Sequence, residues 1–501
     1  MLAVDTPSGR LIGAAGDQVA TFRGIPYALP PVEQRRLRPP EPDPGWTGSR
    51  DATEFSAGAM QPDAISGAFP EPRREDCLYL NVWAPLRDAT LYSSARDPVM
   101  VWFHGGGFTT GSGSVPWYDG ANLASRGAVV VTVNYRLGPL GFCHLEDIGG
   151  DEWADTGVLG VLDQNLALTW VRDHIAAFGG DPDNVTIFGE SAGAMSVATH
   201  LGLPRSRGLF RRAIAQSGAA RHVHEREVGD RVARAVLDAV GVSPLRLNDL
   251  FDVPAQAFVD CQAAVDSGDG AELPLPFCPT VGATSLPTAP EVAIAAGASA
   301  DVDLLVGTNS EEMRLFLLTE QVTGDVDEAR LERRVGRALA HHEVIADPHV
   351  VIDTYRKRLG AVAPGEVWIA ISSDLVFRVP AIALAEAHMG HGSTRMYLST
   401  HSSDAFGGML GAGHATEIPF VFDNLDQPGV DMMLGDITDD RRKLAAAVAD
   451  AWVSFARSGT PGSALGEWST YDAAERATMR LDSEWGAESD PWSDERRIWI
   501  D

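Results

Sequence analysis

Short apolar runs alternate along the chain with longer stretches in which apolar residues recur every three or four positions. The runs Val99–Phe103 and Ala128–Val133 consist largely of β-branched and aromatic residues, which is typical of strands buried on both faces. Between Val158 and Phe178 the apolar positions follow a helical period, and Gly179–Pro182 is a typical helix end. Similar patterns predict strands over 185–188, 210–215, 302–306 and 396–399, and a helix over about 441–457.

Strands that alternate with helices in this order predict an α/β fold, a mainly parallel sheet with helices on both faces. The stretch from about 318 to 394 is rich in helix formers and has no strong strand pattern. We therefore expect a helical insertion over the sheet, of the kind that commonly shapes a binding cleft. No internal repeat or long low-complexity linker is present, which favours a single domain over residues 1–501.

Composition and charge narrow the possible partners and compartments. The chain has 501 residues, 45% hydrophobic and 22% charged, with a formal net charge of −29, which argues against nucleic acid or an anionic membrane as a partner. No apolar run reaches the roughly 18 residues of a membrane span, and no signal peptide pattern opens the sequence. The four cysteines lack metal-site spacing and are expected to be reduced and packed, so we expect a soluble, cytoplasmic protein.

The segment Gly189-Glu190-Ser191-Ala192-Gly193 lies between the predicted strand over 185–188 and a run of small, helix-compatible residues. A serine on a tight strand-to-helix turn exposes its hydroxyl, and glycines two positions to either side let the backbone cross closely. For this motif taken alone, an ordinary serine at a helix N-cap is an equal alternative. Ser191 is therefore a candidate covalent nucleophile whose assignment depends on the groups around it.

Three consecutive glycines in the segment His104–Phe108 follow the predicted strand that ends at Phe103. Backbone N–H groups of such a loop can converge on one point, and the missing side chains let a substrate carbonyl approach. A phosphate-binding loop is the alternative, but the stretch has no lysine and does not match the spacing of one. The amides of Gly106 and Gly107, with that of Ala192, are predicted to bind an oxyanion.

A serine nucleophile needs a base and an acid that orients the base. Glu311 and Glu312 follow the predicted strand over 302–306, at the end of a parallel sheet where ligands bind, although spacing alone does not separate them. A glutamate pair at a helix N-terminus is the alternative. Among thirteen histidines, His414 stands out in a loop of small residues late in the chain. The order serine, acid, histidine then fits a strand-to-helix nucleophile turn.

With these residues in place, the chain resembles the type-B carboxylesterases, the carboxylesterase and cholinesterase family of the α/β-hydrolase fold, and most of all its bacterial p-nitrobenzyl esterase type. The similarity extends over almost the whole chain. The segments that carry it are 22–28, 75–82, 134–138, 178–182, 188–193, the His414 loop and 452–456.

The resemblance implies a serine carboxylesterase that acts on a small-molecule ester through an acyl-enzyme intermediate, with no metal or organic cofactor. It implies Ser191 as the nucleophile, Glu312 rather than Glu311 as the acid and His414 as the base. It further implies an oxyanion hole made by Gly106, Gly107 and Ala192, polar residues Glu190 and Ser217 beside the triad, and structural ion pairs Arg36 with Glu75 and Arg136 with Asp163.

Two departures from the family pattern bear on the expected compartment and on the expected substrate. Secreted relatives join the cysteine equivalent to Cys77 to a partner upstream, whereas the comparable stretch here is Met60-Gln61-Pro62. The loop over 60–76 also lacks the tryptophan with which cholinesterases hold a quaternary ammonium group, so a choline ester is not the expected substrate.

Three other functions remain as alternatives. The same triad would serve a carbamate or aryl-amide hydrolase, and some members of the family keep the fold without catalysis. A metallohydrolase built on 222–225 or 341–343 has weak spacing, and both segments are predicted to be charged helix surface. Acyl-chain length, alcohol size, stereoselectivity and oligomeric state are left open by the sequence.

Overall fold

The predicted buried strands form the centre of one large sheet in the computed structural model, which describes residues 1–63, 72–87, 96–265, 275–319 and 326–500. Within these ranges the strands are β1 Leu2–Thr6, β2 Gly9–Ala15, β3 Val19–Pro26, β4 Ser49–Asp51, β5 Tyr79–Pro85, β6 Asp97–Phe103, β7 Val129–Val133, β8 Gly180–Glu190, β9 Arg212–Gln216, β10 Asp303–Asn309, β11 Thr394–Ser399, β12 Ala477–Leu481 and β13 Gly486–Ser489.

The helices lie between and after these strands. They are α1 Ala121–Ser125, α2 Gly138–Phe142, α3 Glu146–Gly149, α4 Leu159–His174, α5 Ala192–Gly202, α6 Arg226–Val240, α7 Ala255–Asp260, α8 Pro290–Ala295, α9 Met313–Thr319, α10 Glu328–His341, α11 Pro348–Leu359, α12 Pro364–Ser373, α13 Val379–His388, α14 Ile418–Val421, α15 Val430–Leu434, α16 Asp439–Ser458 and α17 Ser493–Trp499. A π-helical turn, Asp374–Arg378, joins α12 to α13.

The strand order is β1-β2-β3-β5-β7-β6-β8-β9-β10-β11-β12-β13, with β4 beside β2. Every pairing from β7 to β12 is parallel, while the strands outside this block pair antiparallel along that path. The predicted α/β class with a mainly parallel central sheet is confirmed. The antiparallel flank made by β1, β2, β3 and β5 was not predicted, because the sequence analysis assigned no strand before Val99.

The core occupies both faces of the sheet. On β6, Val99, Val101 and Phe103 belong to one buried cluster, whereas Met100 and Trp102 belong to the other. Because successive strand residues point to opposite faces, a continuously apolar strand requires a cover on each side. Helices α4 and α16 lie where helical periodicity predicts them, and α16 begins at a Thr438 cap and ends at Gly459.

The stretch predicted to be a helical insertion, about 318 to 394, contains α10 to α13, and α9 ends at its start. Among the described residues, 364–388 form one helix that is long and apolar enough to cross a membrane, and its apolar window is wholly buried inside the protein. This burial is typical of a core helix. Its last part, α13, packs against β10 and β11, so it belongs to the layer that covers the sheet. The single-domain organisation stays a prediction.

Candidate active site

Ser191 lies at a sharp turn between β8 and α5. Its backbone has φ 56° and ψ −125°, and its N–H donates to the carbonyl oxygen of Gln216 over 2.9 Å. A Cβ atom on Gly193 would overlap the carbonyl oxygen of Phe103, and one on Gly189 would lie 2.6 Å from the carbonyl carbon of Gly193. The two glycines are therefore required by the close crossing of strand and helix, as the motif predicts.

His414 and Glu312 are joined directly. His414 Nδ1 lies 2.6 Å from Glu312 Oε2, and both side chains are buried. The other carboxylate oxygen of Glu312 accepts hydrogen bonds from the Asn309 N–H over 2.7 Å and from Ser217 Oγ over 2.5 Å. These donors fix the carboxylate, and the carboxylate in turn fixes the orientation of the imidazole.

Glu311 points elsewhere, although it is adjacent in sequence. Its carboxylate forms an ion pair with Arg314 and accepts the Ala412 N–H over 3.0 Å. The geometry therefore distinguishes two glutamates that spacing alone leaves equal, and it brings Glu312 to the histidine.

The second ring nitrogen of His414 faces Glu190. The distance from Nε2 to Glu190 Oε1 is 2.9 Å, and among the described residues no hydrogen bond joins the ring to Ser191 Oγ. A Cβ atom on Gly105 would lie 2.7 Å from Glu190 Oε2 and 3.1 Å from Ser191 Cβ. The serine, the Glu190 carboxylate and the start of the glycine loop thus meet at one place, beside the imidazole.

The charges around the imidazole determine its protonation. Burial lowers the pKa of His414, but the carboxylates of Glu190 and Glu312 outweigh this and raise it well above the ordinary value of 6.5. The rings of Phe316 and Phe377 lie 5.0 and 4.7 Å from the imidazole, centroid to centroid, and shield it from water. A base of this kind takes up a proton readily.

The glycine loop presents free amides. Gly106 has φ 113° and Gly107 φ 61°, values that favour glycine, and the Gly106 carbonyl accepts the N–H groups of Thr109 and Thr110. The N–H groups of Gly106, Gly107 and Ala192 donate to no other group in the described part of the chain. A loop held by its carbonyl oxygen, with its amides unused, can bind an oxyanion.

A third buried carboxylate, that of Glu417, was missed by the sequence analysis. Its Oε2 accepts from Asn309 Nδ2 over 2.6 Å and its Oε1 from Gln216 Nε2 over 3.2 Å. Burial, together with the charges of Glu190 and Glu312, raises its pKa to about 7. Its position three residues after His414 was a signal that could have indicated a place near the site. The residues that bind Glu417, however, lie at the ends of β9 and β10, far away in sequence.

The predicted structural ion pairs are present. Arg36 binds Glu75 through two hydrogen bonds of 2.6 and 2.7 Å, and Arg136 binds Asp163 in the same two-pronged way. The cysteines Cys77, Cys143, Cys261 and Cys278 are free thiols and buried.

The expectation of charged helix surface for 222–225 was wrong. This segment is a loop with a buried His224, and its two imidazoles bond to the carbonyl oxygens of Val376 and Leu275. Residues 341–343 do lie exposed, at the end of α10.

Residues 1–499 match the family model described as "Carboxylesterase family". This chain belongs to the carboxylesterase family. The carboxylesterase is 41% identical over 506 residues to the para-nitrobenzyl esterase of Bacillus subtilis (strain 168), covering 99% of this chain and 97% of that protein. The predicted family and enzyme class, carboxylic ester hydrolase, are confirmed.

Solved structures agree with this membership. The carboxylesterase is similar to Geobacillus stearothermophilus carboxylesterase EST55, with a TM-score of 0.88, 38% identity and full coverage of both chains. It is also similar to a PNB esterase, with a TM-score of 0.83, 37% identity and 99% coverage of both chains. The α/β-hydrolase fold implied by the sequence is therefore confirmed.

Proposed function

We propose that Ser191, His414 and Glu312 form the catalytic triad with which this carboxylesterase hydrolyses small-molecule carboxylic esters. The observation that carries the proposal is the buried 2.6 Å contact between His414 Nδ1 and Glu312 Oε2, beside a serine on a strained strand-to-helix turn. A carboxylate on Nδ1 leaves Nε2 as the nitrogen that exchanges protons with serine and substrate.

In the first half-reaction, Ser191 Oγ bonds to the ester carbonyl carbon while its proton moves to His414 Nε2. The carbonyl π electrons move to oxygen, and this oxyanion accepts hydrogen bonds from the amides of Gly106, Gly107 and Ala192. The tetrahedral intermediate then expels the alcohol oxygen, which takes the proton from His414. An acyl-enzyme and a free alcohol result.

In the second half-reaction, water replaces the alcohol. Water gives a proton to His414 Nε2 as its oxygen attacks the acyl carbon, and collapse of the second intermediate returns that proton to Ser191 Oγ. The carboxylic acid leaves and the enzyme is restored. In the structure Nε2 faces Glu190, and catalytic hydrogen bonds commonly tighten only when substrate binds.

The test is the rate of p-nitrophenyl ester hydrolysis by the wild type and by Ser191→Ala, with Ser196→Ala as the matched control. Ser196 lies in α5 and its hydroxyl donates to the Ala192 carbonyl, so its loss removes a buried hydroxyl near the site without touching the nucleophile. We expect at least a roughly 1,000-fold loss for Ser191→Ala and less than about tenfold for Ser196→Ala.

A fluorophosphonate probe provides the second measurement. It should label the wild type and Ser196→Ala at residue 191 and leave Ser191→Ala unlabelled. Equal hydrolysis by wild type and Ser191→Ala would overturn the nucleophile assignment. A wild type that neither hydrolyses esters nor takes the label would indicate a member of the family without catalysis.

We also propose that the carboxylesterase works in a reducing compartment, the cytoplasm. The four cysteines support this proposal because they are free, buried thiols. Burial also raises the pKa of the Cys261 thiol to about 11, which keeps it in the unreactive protonated form. Protein prepared without reductant should show four reactive thiols after unfolding in urea and almost none when native. Fewer than four thiols after unfolding would contradict the proposal.

A further inference from the structure

The side chain of Gln61 pairs with the backbone of Gly111, fifty residues later in the chain. Gln61 Nε2 donates to the Gly111 carbonyl oxygen over 2.8 Å, and the Gly111 N–H donates to Gln61 Oε1 over 2.8 Å. The amide is 4% exposed, and its NH₂ also donates to the Ala59 carbonyl over 3.1 Å. The backbone of Gly111 has one donor, its N–H, and one acceptor, its carbonyl oxygen. The pairing therefore fixes which atom of the Gln61 side-chain amide is the oxygen and which is the nitrogen.

Gly111 lies against the start of the glycine loop. A Cβ atom on Gly111 would overlap both His104 Nδ1 and the carbonyl oxygen of Gly105, so the backbone at 111 is in direct contact with the residues before Gly106. The Thr110 N–H, next to Gly111, also donates to the Gly106 carbonyl over 3.0 Å. A shift of Gly111 would therefore move the two peptides that carry the proposed oxyanion donors, the N–H groups of Gly106 and Gly107.

The segment that carries Gln61 is anchored to the same region. Asn134 Nδ2 donates to the Ala57 carbonyl over 3.3 Å, and Asn134 Oδ1 accepts the Gly113 N–H over 2.7 Å. Two buried side-chain amides thus hold the loop that follows the glycine loop, Gln61 at Gly111 and Asn134 at Gly113. Of these two amides, Gln61 is the one that contacts Gly111, the residue that packs on Gly105.

We propose that Gln61 is a positioning residue that sets the oxyanion donors of Gly106 and Gly107 through Gly111. The proposal rests on the proposed function of those amides. A donor that is lost from an oxyanion hole costs roughly 100- to 1,000-fold in turnover, and a displaced donor costs part of that. The effect is therefore expected in kcat, because the oxyanion exists in the transition state and not in the bound ester.

The main variant is Gln61→Met, which keeps the size of the side chain and removes both hydrogen bonds with Gly111, together with the one to the Ala59 carbonyl. Gln61→Glu is the second variant, because a carboxylate still accepts the Gly111 N–H but cannot donate to its carbonyl. The matched control is Gln164→Met: Gln164 is a fully buried amide bonded to Ser196 and His200, and within the described residues it forms no hydrogen bond with the glycine loop. Thermal unfolding of each variant reports how much structure is lost.

For Gln61→Met we expect kcat for a p-nitrophenyl ester to fall about 10- to 100-fold, with KM changed less than about threefold. The affinity for a trifluoromethyl ketone, which forms a tetrahedral oxyanion on serine, should fall in parallel with kcat. Gln61→Glu should show the same pattern. Gln164→Met should lower the unfolding temperature and keep kcat within about threefold of the wild type.

If both Gln61 variants keep the kcat and the ketone affinity of the wild type, whatever their unfolding temperature, the positioning role is refuted. If Gln164→Met lowers kcat as much as Gln61→Met does, the effect is general destabilisation and the role is again refuted. These failures differ from failure of the proposed function, in which the wild type itself is not labelled by a fluorophosphonate at Ser191.

Discussion

His414 Nε2 lies 2.9 Å from Glu190 Oε1, so the imidazole stands between two carboxylates, with Glu312 on its other nitrogen. Both negative charges favour the protonated ring, and they outweigh the effect of burial on its pKa. A general base must be neutral to accept a proton, and the raised pKa therefore moves the active range of the enzyme toward higher pH.

The first prediction concerns this pH dependence. The acidic limb of kcat/KM in the wild type should have its midpoint above 6.5, and Glu190→Gln should move the midpoint down because one of the two charges is gone. The measurement is the pH–rate profile with a p-nitrophenyl ester. Glu311→Gln is the control, since Glu311 pairs with Arg314 and does not contact the ring. A midpoint that stays in place in Glu190→Gln would show that this carboxylate does not govern the base.

The second prediction separates the two adjacent glutamates. Glu312→Gln should lower kcat about 1,000- to 10,000-fold, because an amide on Nδ1 neither stabilises the imidazolium nor fixes the tautomer. Glu311→Gln should lower kcat less than about tenfold, through its contact with the Ala412 N–H. Steady-state kinetics of both variants provide the comparison, and a larger loss in Glu311→Gln would reverse the assignment of the acid.

The third prediction concerns Glu417 and stability. Its pKa is about 7 in the folded protein against an ordinary 4.5, so the folded state holds this proton more tightly than the unfolded state. Binding of this proton stabilises the folded state relative to the unfolded state. That contribution is fully present below about pH 4.5 and is lost as the pH rises through 7. Relative to Glu417→Gln, the wild type should lose up to about 3 kcal/mol between pH 5 and pH 8.

Urea unfolding of the two proteins at pH 5 and pH 8 measures this difference. The neutral amide in Glu417→Gln has no proton to release. The stability of the variant relative to that of the wild type should therefore be higher at pH 8 than at pH 5. A stability difference that does not change with pH would contradict the prediction.

The fourth prediction concerns the close crossing at the nucleophile turn. In Gly193→Ala the new Cβ would overlap the Phe103 carbonyl oxygen, which is backbone and cannot move aside, so we expect a loss of more than about 3 kcal/mol. Gly336→Ala is the matched control: Gly336 lies inside α10, its new Cβ would meet Pro348 Cγ at an ordinary 3.8 Å, and the change should stabilise the helix by about 0.5 to 1 kcal/mol. Thermal unfolding measures both, and equal unfolding temperatures would contradict the account.

The sequence by itself determined the parallel strands β6 to β11, the helices α4 and α16, and the nucleophile turn with its two glycines, whereas β12 was not predicted. These features depend on local causes: apolar periodicity, β-branched runs, helix caps and a backbone that only glycine allows at a close crossing. The resemblance to the family added Glu312, which neighbouring residues alone could not separate from Glu311.

Only the tertiary structure decided how distant segments meet. Glu417 binds Asn309 and Gln216 because β9 and β10 are neighbours in the sheet, and Gln61 binds Gly111 across fifty residues. No local pattern encodes such pairs, since a buried polar side chain takes whichever partner the strand order and loop paths bring to it. The sequence therefore predicted the backbone turns of the candidate site. The packing of the chain determined the polar contacts that set the charges of the site and hold its amides in place.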